Sequence, residues 1–316
     1  MRSRRRVSSV RSFTLVGVAV LTLGFPAVGP VIGYEISVAE IEAGRIRHLA
    51  QRLAKQNLLF QLHLGGVRKE DLVDTAGRID RVIDALQHGS PGYAVPAPWS
   101  APLREQVEKV GAAWRSMRSV AVASPYDYLR TARQFAGADK GLKDPLMLRY
   151  FDGLAADLVK ETEVLMGLYD QECRASEASD ELCDAATLSG HAAMLSEIAV
   201  RQAVYIVAGI DGAQNRKRLA STIEVYASTR ADTNASQAIT GAMGEDRGES
   251  GRLAAQLLAG LRGDWDEMRK EFQILDAGDA KNFDLERLLR LQDSMVGRIE
   301  RFTAAVVRYA NIAYGT

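Results

Sequence analysis

Three segments of this chain recur, in the same order, about half a chain later. "AGRIRHLAQRLAKQNLLFQLHLGG" (43–66) is matched by "SGHAAMLSEIAVRQAVYIVAGI" (189–210), "WRSMR" (114–118) by "WDEMR" (265–269), and "LRYFDGL" (148–154) by "LRLQDSM" (289–295). The separations are 146, 151 and 141 residues. One such match means little, but three in register argue for an internal duplication. The chain then divides into nearly equal halves, 34–175 and 176–316.

Within each half the apolar residues follow a helical period. The pattern predicts helices at 35–64, 69–88, 101–121, 145–174, 181–210, 213–230, 248–275 and 281–312, with a connector at 125–144 and a polar loop at 231–247. No stretch alternates with period two for long enough to read as a strand. Four long amphipathic helices with short connections pack as an up-down bundle. The expected fold is therefore all-α: two tandem up-down four-helix bundles. The long helix 145–174 runs directly towards the second copy, which predicts an elongated, end-to-end stack. Trp114 with Met117, and Trp265 with Met268, read as core residues of the third helices. Asp152 and Asp293 recur on the fourth helices, where a structural role is expected.

Residues 1–33 read as an address ahead of both bundles. A basic start, "MRSRRRVSSVRS", precedes the apolar run "FTLVGVAVLTLGF" and the small-residue segment "PAVGPVIG". That is the three-part pattern of an export signal, cut near Tyr34. The rival reading is an uncleaved anchor, because residues 12–33 carry no charge and are long enough to span a bilayer. Either outcome places the remainder in the periplasm, free or held at the inner membrane. In an oxidising compartment Cys173 and Cys183 can form a disulfide. On one straight helix they would stand roughly 15 Å apart, so a bridge requires a turn within "RASEASDE"; the alternative is two free thiols.

Charge and motifs exclude several functions. The formal net charge is +0, which argues against nucleic acid as a partner, since phosphate neutralisation needs a basic face. Neither Glu-x-x-His pairs, a His-Glu-x-x-His box, a phosphate-cradling glycine loop nor a Gly-x-Ser-x-Gly elbow occurs. The reading is of a protein that is not an enzyme and uses no cofactor or metal.

The first helix poses the functional question. Arg45, Arg47, Arg52 and Lys55 fall within eleven residues, and residues 43–64 contain no Asp or Glu. At about 100° per residue, Arg45, Arg52 and Lys55 share one side, expected to be solvated with stems lying over apolar neighbours. Arg47 points nearly the other way, among Ala43, Ala50 and Ala54. Small residues allow close helix approach, and a guanidinium so covered needs acceptors. These come from an acid elsewhere on the chain, a partner subunit or a bound anion, whose flat oxygens suit the arginine fork. His48, His63 and His191 show no ligand spacing.

The stretch Ala43-Gly44-Arg45-Ile46-Arg47-His48-Leu49-Ala50-Gln51-Arg52-Leu53-Ala54-Lys55 resembles the opening helix of the PilJ-type domain, the N-terminal sensory module of type IV pili methyl-accepting chemotaxis transducers. That family is similar to the periplasmic domains of nitrate/nitrite sensors, which bind the anion between paired first helices of a dimer. The resemblance implies a ligand-contacting arginine at Arg47, a second at Arg52 and a neighbouring one at Arg45. It implies nitrate or nitrite as ligand, and a homodimer or a membrane receptor as partner. In the second copy, His191, Ala193 and Ile198 stand where Arg45, Arg47 and Arg52 stand in the first, so that copy is expected to have lost anion binding. With "VVRYANIAYGT" as its last residues, the chain is expected to lack a transmitter region of its own. The expectation is thus an exported sensory or ligand-binding protein. The alternative is a periplasmic adaptor for a pilus, chemoreceptor or membrane complex, with no small ligand.

Overall fold

The computed structural model describes residues 33–90, 95–122, 145–176, 180–242, 248–279 and 282–314. The predicted signal or anchor segment and the connector at 125–144 lie outside the described residues. Eight helices account for nearly all of the described chain: α1 (Gly33–Leu62), α2 (Lys69–His88), α3 (Ala101–Ala121), α4 (Pro145–Ala175), α5 (Asp180–Val207), α6 (Gly212–Ala242), α7 (Gly248–Asp276) and α8 (Leu285–Tyr314). Among the described residues the sole β-type pairing is one isolated bridge, Ser90 with Val95.

Local chemistry sets the helix ends. The Asp71 carboxylate accepts the Arg68 N–H at 2.8 Å and opens α2, and the Ser100 hydroxyl accepts the Leu103 N–H ahead of α3, both N-terminal caps. Asp284 accepts the Arg287 N–H at 2.9 Å, so α8 starts at Leu285 rather than at 281. Gly209, at φ +72°, ends α5 three residues before the expected boundary, as a left-handed residue does. Of the polar stretch expected as a loop at 231–247, residues 231–242 are instead the C-terminal part of α6, and 243–247 lie outside the described residues. The Asp, Thr, Asn, Ser and Gln residues of 231–242 are polar, but no proline interrupts them.

Helices α1–α4 form one closed ring of neighbours, each packed on the next and α4 back on α1; α5–α8 form a second. Each ring has its own apolar core. Trp114 and Met117 lie in the first, Trp265 and Met268 in the second, all buried. Trp265 stacks on Tyr226 with ring centroids 3.5 Å apart.

The end-to-end arrangement is not what forms. The most extensive helix contact joins α1 to α5, the two first helices, and α4–α5 and α1–α8 contacts flank it. The bundles therefore lie side by side, and residues 31–316 make up one compact unit. Leu58 and Leu59 of α1 are members of the second core. The reason lies in the small residues of the two helices. A Cβ on Gly190 would stand 3.2 Å from the Gly44 Cα, a backbone approach that only glycine permits. Gly44 and Gly190 occupy the same position in the two copies.

The cross-bundle contacts are reciprocal. Asp152 of α4 reaches Arg201 at 3.1 Å and accepts the Tyr205 hydroxyl at 2.9 Å, both on α5. Asp293 of α8 faces Arg52 of α1 at 4.0 Å. The fourth-helix aspartate of each copy thus addresses the first helix of the other, as in a two-fold interface between subunits.

Cys173 and Cys183 form a disulfide with a Cα–Cα distance of 6.2 Å, joining the end of α4 to the start of α5 across the turn between them. Both are fully buried, with the Ser37 hydroxyl 3.1 Å from the Cys173 sulfur. A Cys173→Ser, Cys183→Ser double variant is expected to lose about 3 kcal/mol of stability in the loop-entropy model. Urea unfolding of oxidised protein checks this.

Candidate functional site

Helix α1 has almost no free face. From Ile36 to Gln61 every residue is buried except Arg45, Arg52 and Phe60, which are partly covered. The cause is its position: α2, α4, α5 and α8 all pack on it. Its charged residues are consequently sorted by which neighbour they meet.

Arg45 turns towards α2. One of its Nη atoms donates to both Glu42 oxygens, at 2.7 and 2.8 Å. The pair borders a cleft of about 110 Å³ lined also by Arg78, Arg81, Val82 and Ala85. Arg78 in turn pairs with Glu300 of α8. Arg52 faces α8 and Asp293. Lys55 is buried rather than solvated: its ammonium lies 2.9 Å from a Glu197 carboxylate oxygen and donates to the Gln292 side chain. Glu197 and Gln292 are completely buried. His48, also buried, is held well below its ordinary pKa by burial and then by the charges of Arg52, Arg78, Arg45 and Lys55.

Arg47 is different. It is 6 % exposed and points to the seam with α5, where a Cβ on Gly190 would stand 3.3 Å from its Nη2. Its Nε and Nη2 have no hydrogen-bond partner among the described residues. Its Nη1 is 4.0 Å from Glu163 of α4, whose side chain is 53 % exposed. A charge-assisted hydrogen bond is about 2.7–2.9 Å long, so Glu163 is a charge in the neighbourhood, not a clasp. Burial lowers the Arg47 pKa, opposed by the charges of Glu163 and Glu40. His191, partly buried on α5 beside Gly190, has its pKa lowered by burial and then by Arg47.

The structure thus separates the three arginines singled out in the sequence. Arg45 is neutralised by a glutamate lying one residue outside the acid-free stretch, and Arg52 looks towards another helix. Arg47 alone of the three is buried with open donors. Glu40, Glu163, Gly190 and His191 were not assigned to this site from the sequence. The alignment of Gly44 with Gly190 was the available signal, because matched glycines on two first helices invite close pairing. Arranged this way, the seam offers a desolvated, planar fork of N–H donors, which suits a small flat oxyanion.

Residues 41–135 match the family model described as "Type IV pili methyl-accepting chemotaxis transducer N-term" (PilJ). Comparison with curated proteins and with solved structures gave no match to either. Among the described residues, no helix is long and apolar enough to cross a membrane.

Proposed function

From a transducer-type match over residues 41–135 and a buried cation at the seam, we propose that this chain is an exported sensory protein. It binds a small oxyanion, nitrate or nitrite by chemistry, at Arg47. The observation that carries the reading is the Arg47 guanidinium: buried, with two of its three nitrogens lacking hydrogen bonds. Leaving buried donors unmade is costly, and for a charged group more so. A bound planar anion supplies acceptors and neutralises the charge in one step. Nitrate/nitrite-type sensing between two subunits is here reproduced within one chain, α5 taking the place of a partner's first helix. The second bundle keeps the close-packing glycine but offers Ala193 where a second arginine would stand.

The buried disulfide supports an oxidising compartment, and so export by residues 1–33, either cleaved or retained as an anchor. Signal output in this reading passes to a membrane receptor onto which the bundles dock.

A second reading has one observation in its favour. Glu163 lies 4.0 Å from Arg47, and a rotamer change that closed this gap would leave a scaffold or adaptor with no ligand. Calorimetric titration of the full chain with sodium nitrate and sodium nitrite, against sodium chloride, separates the two. Saturable heat with one site per chain, absent in Arg47→Ala, is expected. No heat with either oxyanion, or heat unchanged in Arg47→Ala, overturns the anion reading and leaves the scaffold.

A further inference from the structure

We propose that His191, brought in by the second bundle, is the second donor to the Arg47 seat, so that the oxyanion is taken up together with one proton. This rests on the anion reading above and assigns it a partner residue and a pH response. Three observations carry it. Gly190 is packed against both Gly44 and Arg47 Nη2, which fixes the backbone next to His191 at the wall of the seat. His191 is partly buried there and within electrostatic reach of Arg47. His191 is also the copy-equivalent of Arg45; of the two basic side chains left in the degenerate box of the second bundle, Arg201 is paired with Asp152, and His191 is the one beside Gly190 at the seam.

The charged groups acting on Arg47 are Glu163 from α4 and Glu40 from α1; Arg47 is the charge acting on His191. Without a ligand, burial and then the nearby Arg47 guanidinium both disfavour the imidazolium. An anion placed between the guanidinium and the imidazole cancels the repulsion, and the imidazolium form then gains a hydrogen-bond acceptor. By linkage, a ligand that raises the proton affinity of a group is itself bound more tightly where that group is protonated. Histidine is the side chain whose charge ordinarily changes between about pH 5 and 8, and nitrate does not titrate there. The expected sign follows: affinity rises as pH falls. A permanent arginine would bind at any pH; a histidine makes the seat respond to acidity as well as to anion concentration.

The test is calorimetry of the full chain with sodium nitrate between about pH 5.5 and 7.5, in bis-Tris and in imidazole, whose ionisation heats differ. Proton linkage predicts a Kd that grows by up to about tenfold per pH unit as pH rises, and buffer-dependent heats that report uptake of up to one proton. His191→Gln is expected to bind weakly and with little pH dependence. His191→Arg, which restores a fixed charge, is expected to bind at pH 7.5 at least as well as wild type and without pH dependence. Nitrate binding in wild type with a constant Kd and equal heats in the two buffers overturns the His191 assignment while leaving Arg47 as an anion seat. PH dependence that survives in His191→Gln does the same. Absence of nitrate binding at every pH removes the anion reading itself, and His191's role with it.

Discussion

Replacing Glu197 by alanine is expected to cost about 3–5 kcal/mol, the range for stranding a buried charge without its partner. Lys55 and Glu197 come from the first helices of opposite bundles, lie 2.9 Å apart and are almost entirely shielded from water. Removing the carboxylate leaves the ammonium with the Gln292 side-chain oxygen as its remaining acceptor among the described residues. Several kcal/mol is a large share of the stability of a domain, so the variant's urea midpoint is expected to fall sharply. The double variant Lys55→Met, Glu197→Leu removes both charges and keeps the volume filled. Its stability is expected to return close to wild type or to exceed it, because a buried pair often contributes little net free energy against apolar replacements. A double-mutant cycle by urea unfolding gives the coupling. Strict additivity of the two single losses would show that the pair does not form.

Arg47→Met has the opposite expected sign. In ligand-free protein the guanidinium is desolvated and under-bonded. An unbranched apolar side chain of similar reach relieves that cost, and the variant is expected to be more stable than wild type by about 1–4 kcal/mol. A gain in stability with a loss of binding is the mark of a residue retained for function rather than for packing. The measurement is denaturant unfolding in a buffer free of oxyanions. A loss of 2 kcal/mol or more, at the order of magnitude of a broken buried ion pair, would instead mean that Glu163 closes on Arg47 in solution and that the site is structural.

Much of the architecture is legible in the sequence, because helical periodicity and capping are local. Helices α2 and α3 begin and end where the apolar pattern and the Asp71 and Ser100 caps place them. The continuation of α6 was not legible: Ala, Ser, Thr and Gln in 231–242 lack an apolar stripe, and polarity was read as a loop although nothing there breaks a helix. The side-by-side bundles were missed for a different reason. A long helix ending the first copy says where the chain goes next, whereas the two glycines that let α1 and α5 touch act only through tertiary packing.

The site shows the same division. The seclusion of Arg47 was readable from Ala43, Ala50 and Ala54, since small neighbours mean close helices. The fate of Lys55 was not. Angular position on one helix says which residues share a side, not how many helices surround it, and α1 is enclosed by four. Glu197 and Gln292 lie far along the chain, and no local rule pairs them with Lys55. Arg45 was given to the anion site through the family resemblance, and the acid it pairs with, Glu42, lies one residue outside the acid-free stretch.

The central claim is that Arg47 is a buried cation kept for an anion. Thermal unfolding of the full chain and of Arg47→Met along one sodium nitrate series, at ionic strength held constant with sodium chloride, tests it most directly. At nitrate roughly a hundredfold above Kd the wild-type protein gains about 2.7 kcal/mol, a rise of several degrees in Tm. Arg47→Met starts higher and stays level across the series. Two curves that rise in parallel, or two that both stay flat, would contradict the account.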